Sequence, residues 1–257
     1  MIVDVLIVTH FKDKAWLDLC LKSIGKFLSG FNEVVVLVPQ HELRGFHDVK
    51  VRVTPFDQAP DPKGHLHHCI QKCRADIWCG ADYILFLDAD CLFREPTSVS
   101  DYFVDGKPVL LMESYASMQK EGNPAVCWLP GTTDVLGFMP THEFMRRHPA
   151  VHCRELFSAF RSHVEKVHQQ PFEPYALSRR HENPCGFNDF NNLGAFAKHY
   201  MPERYYFIDL TNAPFMRPRD HLIQYWSHRR PDEMQERWLD GQKKNVCPLA
   251  EIRRLLA

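Results

Sequence analysis

The chain has 257 residues, of which 45% are hydrophobic and 25% are charged. These values are typical of globular proteins, and the length suits one large α/β domain better than two small ones. With 31 basic and 32 acidic side chains the formal net charge is −1. Bulk charge therefore excludes a general attraction to nucleic acid or membranes, and any such binding must come from a local patch.

Cysteine usage and the N-terminal residues indicate the compartment. The nine cysteines are an odd number without a compact framework, which is typical of reduced thiols. Residues 1–8 are apolar apart from Asp4, and they lack the basic flank and the small-residue cleavage site of a signal peptide. The apolar runs are much shorter than the roughly 20 residues of a membrane-spanning helix. We expect a cytoplasmic protein without a transmembrane segment.

The first part of the chain alternates between strand and helix patterns. Residues 3–8, 33–38, 49–54 and 82–87 predict strands, whereas residues 13–28 and 64–79 carry apolar side chains at helical spacing. The order strand, helix, strand, strand, helix, strand predicts an α/β fold. We expect a Rossmann-like domain with a mixed, mostly parallel central sheet flanked by helices.

The pattern changes after residue 112. Residues 109–112 and 205–210 predict strands, residues 141–168 one or two helices, and residues 189–200 a helix. Residues 115–139 are rich in Gly and Pro and predict loops, and residues 169–187 predict an exposed or lid-like loop. No break in composition separates two domains. We therefore predict a single domain over 1–257, with a nucleotide-binding half (1–112) and an acceptor-side half (113–257).

Two carboxylates, Asp88 and Asp90, directly follow the predicted strand at 82–87. Ligands of open α/β sheets bind at the carboxyl ends of the strands. Two carboxylates one residue apart suit a hard divalent cation, which would neutralise a diphosphate leaving group. The alternative is that both residues only end the strand and start a turn.

The sequence resembles the GT-A glycosyltransferases at four places along most of its length. They are the opening strand into Thr9-His10-Phe11, the D-x-D motif at Asp88 and Asp90, the segment GFNDFNN at 186–192, and YWSH at 225–228. The resemblance implies a single GT-A-like domain with a nucleotide-sugar donor, most often a UDP-sugar, and Mn²⁺ or Mg²⁺. It implies transfer of a hexosyl or pentosyl group to an acceptor hydroxyl, with inversion.

The same resemblance suggests roles for individual residues. Asp90 would be the main metal ligand, Asp88 would bridge to the metal or the donor ribose, and His228 would complete the metal site, with His221 as the alternative. Asp189 would be the base that takes the proton from the acceptor hydroxyl, although the family more often has Glu there. Without the family, the helix N-cap is the favoured interpretation of Asp189.

Further residues are predicted to bind the donor nucleotide. Thr9, His10 and Phe11 end the first strand, and Lys63 and His65 lie at the start of the helix before the fourth strand, where a helix N-terminus and a cation favour phosphate. An ordinary strand-to-helix turn and a solvated helix start explain these residues equally well. The His and Cys residues at 65–79 do not have the spacing of a structural zinc site, and Cys69 and Cys73 are more simply the buried stripe of a helix.

The acceptor half is locally basic. Residues 141–182 hold seven Arg or Lys against five Glu, and residues 214–230 hold four Arg against one Asp. Acceptor binding is predicted for Trp128, Arg179, Arg180, Gly186, Phe187, Asn188 and Asn192. Basic residues beside aromatic ones could bind phosphates and stack a base, or they face water.

The pattern is also similar to small bacteriophage glycosyltransferases, some of which modify hydroxymethylated pyrimidines in DNA. That similarity implies a 5-hydroxymethyl pyrimidine in phage DNA as the acceptor and the host cytoplasm as the location. A cell-surface glycan or a small molecule is the alternative acceptor. A sugar nucleotidyltransferase and a non-catalytic binding module also stay open, although residues 9–16 contain no Gly for the phosphate loop that such nucleotidyltransferases usually carry.

Overall fold

The computed structural model describes residues 1–57, 65–145, 149–179, 186–212 and 221–225, and Leu256. The strands are β1 Val3–Val8, β2 Leu28–Ser29, β3 Val34–Pro39, β4 Arg52–Phe56, β5 Tyr83–Leu87, β6 Cys91–Phe93, β7 Thr97–Ser98, β8 Phe103–Val104, β9 Lys107–Ser114, β10 His142–Glu143, β11 Ala150–Cys153, β12 Tyr206–Asp209 and β13 Leu222–Gln224. The helices are α1 Lys14–Phe27, α2 His65–Lys72, α3 Ala75–Trp78, α4 Tyr115–Lys120, α5 Trp128–Leu136, α6 Glu155–His168, α7 Phe172–Ser178 and α8 Asp189–Tyr200. Short 3-10 helices lie at Phe11–Asp13, Gln40–Phe46, Val99–Tyr102, Pro124–Cys127 and Pro202–Arg204.

The central sheet has five strands in the order β11-β5-β1-β3-β4. β1, β3, β4 and β5 are parallel, and β11 is antiparallel to β5. The chain runs outward from β1 to β3 and β4 and then returns to β5 on the other side of β1. The fold is therefore α/β with a mixed, mostly parallel sheet, as predicted, and the direction of winding reverses between β1 and β5.

Helices cover both faces of this sheet. Successive side chains of a strand point to opposite faces, so Leu6 and Phe86 join one core cluster while Ile7 and Leu87 join the other. The second face packs on α1, and the first packs on α2, α6 and α8. Burial on both faces explains why these strands are continuous apolar runs rather than alternating ones.

Two smaller pairings complete the described architecture. β9 pairs in parallel with β12 and antiparallel with β8 and β10. β13 pairs antiparallel with β6, matching Gln224 with Cys91. This pairing returns the chain near residue 224 to the strand that follows Asp88 and Asp90.

Two loop predictions for residues 115–187 were wrong, because short helices form in these segments although they are rich in Gly and Pro. Residues 115–139 hold α4 and α5, which are followed by Gly122 (φ +66°) and Gly137 (φ +69°), both in the left-handed region. Pro171 precedes the first residue of α7, within the predicted loop at 169–187, and a helix start tolerates proline. The prediction of one or two helices over 141–168 is confirmed for α6 at Glu155–His168, whereas β10 and β11 lie among the described residues before it.

The first-half predictions were closer. α1, β1, β3 and β5 match their predicted ranges within one or two residues, and α8 matches its range in full. The predicted helix at 64–79 is interrupted after Lys72 and continues as α3.

Six cysteines, Cys20, Cys69, Cys73, Cys79, Cys91 and Cys153, are buried free thiols, whereas Cys127 is disulfide-bonded. The burial of Cys69 and Cys73 confirms the predicted helix stripe, while Cys127 departs from the expectation of reduced thiols.

Within the described part of the chain, no helix is long and apolar enough to cross a membrane.

Candidate active site

The predicted site residues Thr9, His10, Asp88 and Asp90 share one edge of the central sheet. β1 and β5 are parallel neighbours with Ile7 beside Leu87, so the residues that follow each strand lie next to each other. This edge is the carboxyl end of the parallel strands, at the point where the winding reverses. Crevices at such points are where open α/β sheets bind ligands.

Lys72 joins two of the predicted catalytic carboxylates. Its Nζ lies 2.8 Å from Asp88 Oδ1 and 3.2 Å from Asp189 Oδ2. The first contact is a hydrogen bond, and the second is an ion pair without hydrogen-bond geometry. The ammonium also lies 4.7 Å from the centroid of the Phe190 ring. Sequence reasoning missed Lys72, because a lysine in the last turn of a helix looks like a solvated helix end.

Lys72 stays charged although its side chain is only 6% exposed. Burial lowers the pKa of this ammonium, but the carboxylates of Asp189 and Asp88 outweigh burial and raise the pKa above its ordinary value. Of the three predicted carboxylates, Asp88 and Asp189 contact this ammonium directly, and Asp90 lies two residues beyond Asp88. The site therefore gathers several carboxylates in a small region, and carboxylate oxygens are the ligands that a hard divalent cation prefers.

Gln224 shows that the two D-x-D carboxylates converge. Its Nε2 lies 3.0 Å from Asp88 Oδ2 and 3.4 Å from Asp90 Oδ1. The pairing of β13 with β6 holds Gln224 there, and Tyr225 N donates to Asp90 O at 3.0 Å. Oxygen atoms of two carboxylates that reach one point are a donor set that fits Mg²⁺ or Mn²⁺.

The predicted third metal ligand, His228, lies outside the described residues. Among the residues that are described, no group of three His, Cys, Asp or Glu side chains is arranged to hold a metal. The alternative ligand, His221, lies at the far end of β13 from the aspartates, where Arg94 N donates to its carbonyl, and its Nε2 is 2.8 Å from the Tyr102 hydroxyl. The C-terminal segment thus reaches the aspartates through Gln224, and no motif in the sequence pointed to that residue.

Asp189 begins α8, directly after the helix cap. The cap is Asn188, whose Oδ1 accepts a hydrogen bond from Asn191 N at 2.8 Å. The alternative interpretation of Asp189 as the N-cap is therefore wrong. The Asp189 side chain is 4% exposed and lies 3.2 Å from Lys72 Nζ, at a helix start whose amide dipoles favour acidic groups.

Several amide groups around the start of α8 have unused hydrogen-bonding capacity. Asn192 is fully buried, and neither the oxygen nor the nitrogen of its side-chain amide has a hydrogen-bond partner in the described structure. The Nδ2 atoms of Asn188 and Asn191 are also buried and have no hydrogen-bond partner among the described residues. A buried polar group without a partner costs about 1–3 kcal/mol. Such groups are typical of places where a polar ligand or a water molecule completes the bonding.

His152 on β11 lies behind this site and was not anticipated from the sequence. It is 1% exposed and packs among Phe86, Phe157 and Tyr205, at ring distances of 5.6–6.1 Å. Neither ring nitrogen has a hydrogen-bond partner in the part of the chain that is described. Burial lowers the pKa of His152 to about 3, and the Asp189 carboxylate opposes this shift only weakly. The imidazole is therefore neutral at pH 7.

The predicted donor-nucleotide residues form a cluster at the end of β1. The His10 ring stacks on the His68 ring of α2 with centroids 4.6 Å apart, and its Nδ1 lies 3.3 Å from Glu42 Oε2. The same carboxylate oxygen accepts from Phe11 N at 2.7 Å, and the Phe11 ring is 54% exposed. His68 and Lys72 are four residues apart on α2, so one helix face contacts both strand ends.

The remaining predicted donor residues are only partly described or not described. Thr9 is buried, and its backbone amide bonds to Leu37 O. His65 begins α2, and Lys63 lies outside the described residues.

The predicted acceptor residues do not form one exposed surface. Gly186, Phe187, Asn188 and Asn192 are buried around the start of α8, and Trp128 is half-buried at the start of α5. Arg180 lies outside the described residues.

Two basic residues of the acceptor half are already paired within the protein. Arg179 forms an ion pair with Asp134 and lies over the Tyr175 ring at 5.2 Å. Arg161 pairs with Asp76 at 2.6 Å. These internal pairs reduce the positive charge that residues 141–182 would offer to nucleic-acid phosphates.

No protein-family model matches this sequence, and no curated protein is significantly similar to it. The chemistry of the site therefore has to be inferred from its own residues.

Proposed function

We propose that the chain is a metal-dependent glycosyltransferase that moves a sugar from a nucleotide-sugar donor to an acceptor hydroxyl, with inversion. The observation that carries this proposal is the convergence of the Asp88 and Asp90 carboxylates on Gln224 Nε2, at the carboxyl edge of a parallel sheet, with Asp189 linked to Asp88 through Lys72. Carboxylate oxygens that meet at one point are the ligands that a hard divalent cation prefers. A cation bound between carboxylates and a diphosphate is the usual way to stabilise that leaving group.

Each charged residue of the site would have a separate role in the reaction. Asp88 and Asp90 would hold the cation, which when bound would neutralise the donor diphosphate. Asp189 would accept the proton of the acceptor hydroxyl as that oxygen attacks the anomeric carbon. Lys72 would keep Asp189 in place and supply its counter-charge, so that the carboxylate can exist in a site that excludes water.

The end of β1 would hold the donor nucleotide in this proposal. The Phe11 ring is exposed, and its backbone is fixed by Glu42, so it offers a face on which a base can stack. The His10 and His68 rings extend the polar wall from β1 toward Lys72. The most useful donor to test is a UDP-sugar, in line with the resemblance.

A thermal-shift screen with Mn²⁺ and a panel of nucleotide-sugars tests the donor half of the proposal. A ligand present at 100 times its dissociation constant stabilises the native state by about 2.7 kcal/mol, which is roughly 5–10 °C for a chain of this size. We expect one donor class to raise the melting temperature only when Mn²⁺ is present. Asp90→Ala should remove this shift and leave the melting temperature of the protein alone within a few degrees. A metal-independent shift, or a shift that survives in the variant, would count against the metal assignment.

The acceptor is a separate part of the proposal, and a 5-hydroxymethyl pyrimidine in DNA remains the most specific candidate. The test incubates the enzyme, Mn²⁺ and the stabilising donor with hydroxymethylated DNA, plain DNA and a panel of glycans, followed by digestion and mass measurement. A mass gain on the modified base alone supports DNA. Transfer to a glycan with no gain on any base rejects DNA and leaves the glycosyltransferase proposal intact.

A further inference from the structure

A second cluster of titratable side chains lies at the opposite end of α8 from Asp189. Lys198 Nζ is 3.0 Å from His142 Nδ1, and His142 Nε2 is 3.5 Å from Asp209 Oδ2. Lys198 is nine residues beyond Asp189, or about 14 Å along the helix axis. The proposed glycosyltransferase chemistry uses none of these three groups.

The three residues come from three different elements that pack together. Lys198 lies in the last turn of α8, His142 begins β10, and Asp209 ends β12. β10 and β12 flank β9 in one sheet, and α8 packs against β10. Their contact is therefore fixed by the tertiary fold and does not depend on a single loop.

The hydrogen bonds define which atom of His142 accepts a proton. Nδ1 faces the Lys198 ammonium and the Thr141 hydroxyl, at 3.0 and 2.7 Å. With Nζ as the donor, in either its ammonium or its amine form, Nδ1 is the acceptor and the ring proton lies on Nε2, toward Asp209. Asp209 is in turn held by Thr211 N at 2.9 Å and by Asn212 Nδ2 at 3.0 Å.

Burial shifts Lys198 toward its neutral amine. It lowers the pKa of the Lys198 ammonium, and Asp209 opposes this effect without cancelling it. The Met112 sulfur lies 3.0 Å from Nζ, and the centroid of the Phe207 ring lies 6.0 Å from it. Burial also lowers the pKa of His142, and the Asp209 carboxylate opposes this effect without cancelling it. The imidazole is thus neutral, and its unprotonated Nδ1 can accept a proton from the amine.

We propose that Lys198 is a nucleophilic lysine that His142 activates and Asp209 orients, and that it is acylated by activated acyl donors such as acyl phosphates. A nucleophile, a base within hydrogen-bond reach and a third group that orients the base are the geometric requirements of nucleophilic catalysis. The inference is independent of the glycosyltransferase proposal, since it concerns a different end of the helix.

The reaction balances without a further reactant. The lone pair of neutral Nζ forms a bond to the acyl carbon, the bond from that carbon to the phosphate oxygen breaks, and phosphate leaves with the electron pair. The amine proton passes to His142 Nδ1, and Asp209 stabilises the imidazolium. The product is an uncharged amide at Lys198 and free phosphate.

Acetyl phosphate and the full-length chain provide the test. The protein is treated at pH 7, digested, and acetylation at each lysine is measured against time by mass spectrometry. Lys107 and Lys120 are exposed and serve as controls within the same molecule. A lowered pKa raises the neutral fraction of a lysine, and His142 can accept the amine proton, so we expect Lys198 to react several-fold faster than either control. An equal or slower rate at Lys198 would overturn the proposal, and this comparison needs no variant.

Two variants test the proposed roles of His142 as the base and Asp209 as the group that orients it. His142→Gln keeps a hydrogen-bonding side chain of similar size that cannot hold a proton, and Asp209→Asn keeps the shape but removes the charge. Both should lower the Lys198 rate several-fold while the rates at Lys107 and Lys120 stay unchanged, and an unchanged melting temperature of each variant shows that the fold is intact. A His142→Gln protein whose Lys198 reacts as fast as in the wild type would remove His142 from the role of base.

Discussion

Burial of neutral His152 predicts a specific acid sensitivity of the fold. The folded state holds this imidazole with a pKa of about 3, against an ordinary pKa of 6.5. The unfolded chain therefore binds one more proton than the folded chain between those two values, and stability falls as the pH falls through that window. Above pH 6.5 the group makes no difference, because it is neutral in both states.

The size of the effect follows from the shift. A difference of roughly 3.5 pKa units at about 1.36 kcal/mol per unit amounts to ~5 kcal/mol once the pH is below 3. Between pH 7.5 and pH 5, the part that can be measured safely, the same values give a loss of about 2 kcal/mol. That is a substantial fraction of the 5–15 kcal/mol that stabilises a typical domain.

His152→Leu isolates this contribution because leucine has a similar volume and no proton to gain. Urea unfolding of both proteins at pH 7.5, 6.5, 5.5 and 5.0 gives the free energy of unfolding at each pH. We expect the stability of the variant relative to the wild type to rise by about 2 kcal/mol from pH 7.5 to pH 5. The exposed His47→Leu is the matched control, and its curve should run parallel to that of the wild type. A constant difference between His152→Leu and the wild type across this range would refute the reasoning.

Three further substitutions test the site and its support. Asp189→Asn should keep the donor affinity but lower kcat by a factor of about 10²–10⁴, as measured by steady-state sugar transfer. If the variant kept the wild-type kcat, the Asp189 carboxylate would not be the base. Lys72→Met should lower the free energy of unfolding by about 3–5 kcal/mol, since it leaves a buried carboxylate without its counter-charge. Lys72→Arg keeps the positive charge and should lower the free energy of unfolding by less. If the two variants were equally stable in urea, the charge at position 72 would not contribute to stability. Gly194→Ala places a Cβ 2.4 Å from the Phe144 ring and should destabilise by about 1–3 kcal/mol. The control is Gly25→Ala, also in a helix, where an added Cβ meets nothing within 4 Å and the free energy of unfolding should rise by up to about 1 kcal/mol. A similar rise in Gly194→Ala would show that its added Cβ does not clash with Phe144.

The parts of the fold that could be predicted are those in which a single physical rule determines the secondary structure. β1, β3 and β5 are buried on both faces, so their sequences are unbroken apolar runs that only a central strand accommodates. α8 was predicted over its full length, because a polar cap precedes it and an apolar stripe runs along it. Where two rules compete, as at Pro130 within the first turn of α5, composition alone predicted a loop and tertiary packing produced a helix.

The candidate site was predictable only where chain order determines position. Asp88 and Asp90 follow a strand, so their place at the sheet edge could be predicted. Lys72 and Gln224 reach the aspartates from 16 and about 135 residues away, through the packing of α2 and the pairing of β13. His152 could not be recognised either, because nothing in its neighbourhood along the chain distinguishes a buried histidine from an exposed one.

The burial of Asp189 limits what the proposed acceptor can be. Its carboxylate is 4% exposed and lies against Lys72, so the acceptor hydroxyl has to enter the protein to reach within hydrogen-bond distance of it. A hydroxymethyl group on a base stacked within a duplex projects only into the major groove, whereas the Asp189 carboxylate is almost completely buried. The same group on a base extruded from the helix, or on a single strand, is a slender projection that can enter, at a cost of a few kcal/mol for extrusion. A terminal sugar hydroxyl of a glycan meets the same requirement without that cost. If DNA is the acceptor, the described geometry therefore favours transfer to a flipped or single-stranded base over transfer in the intact major groove.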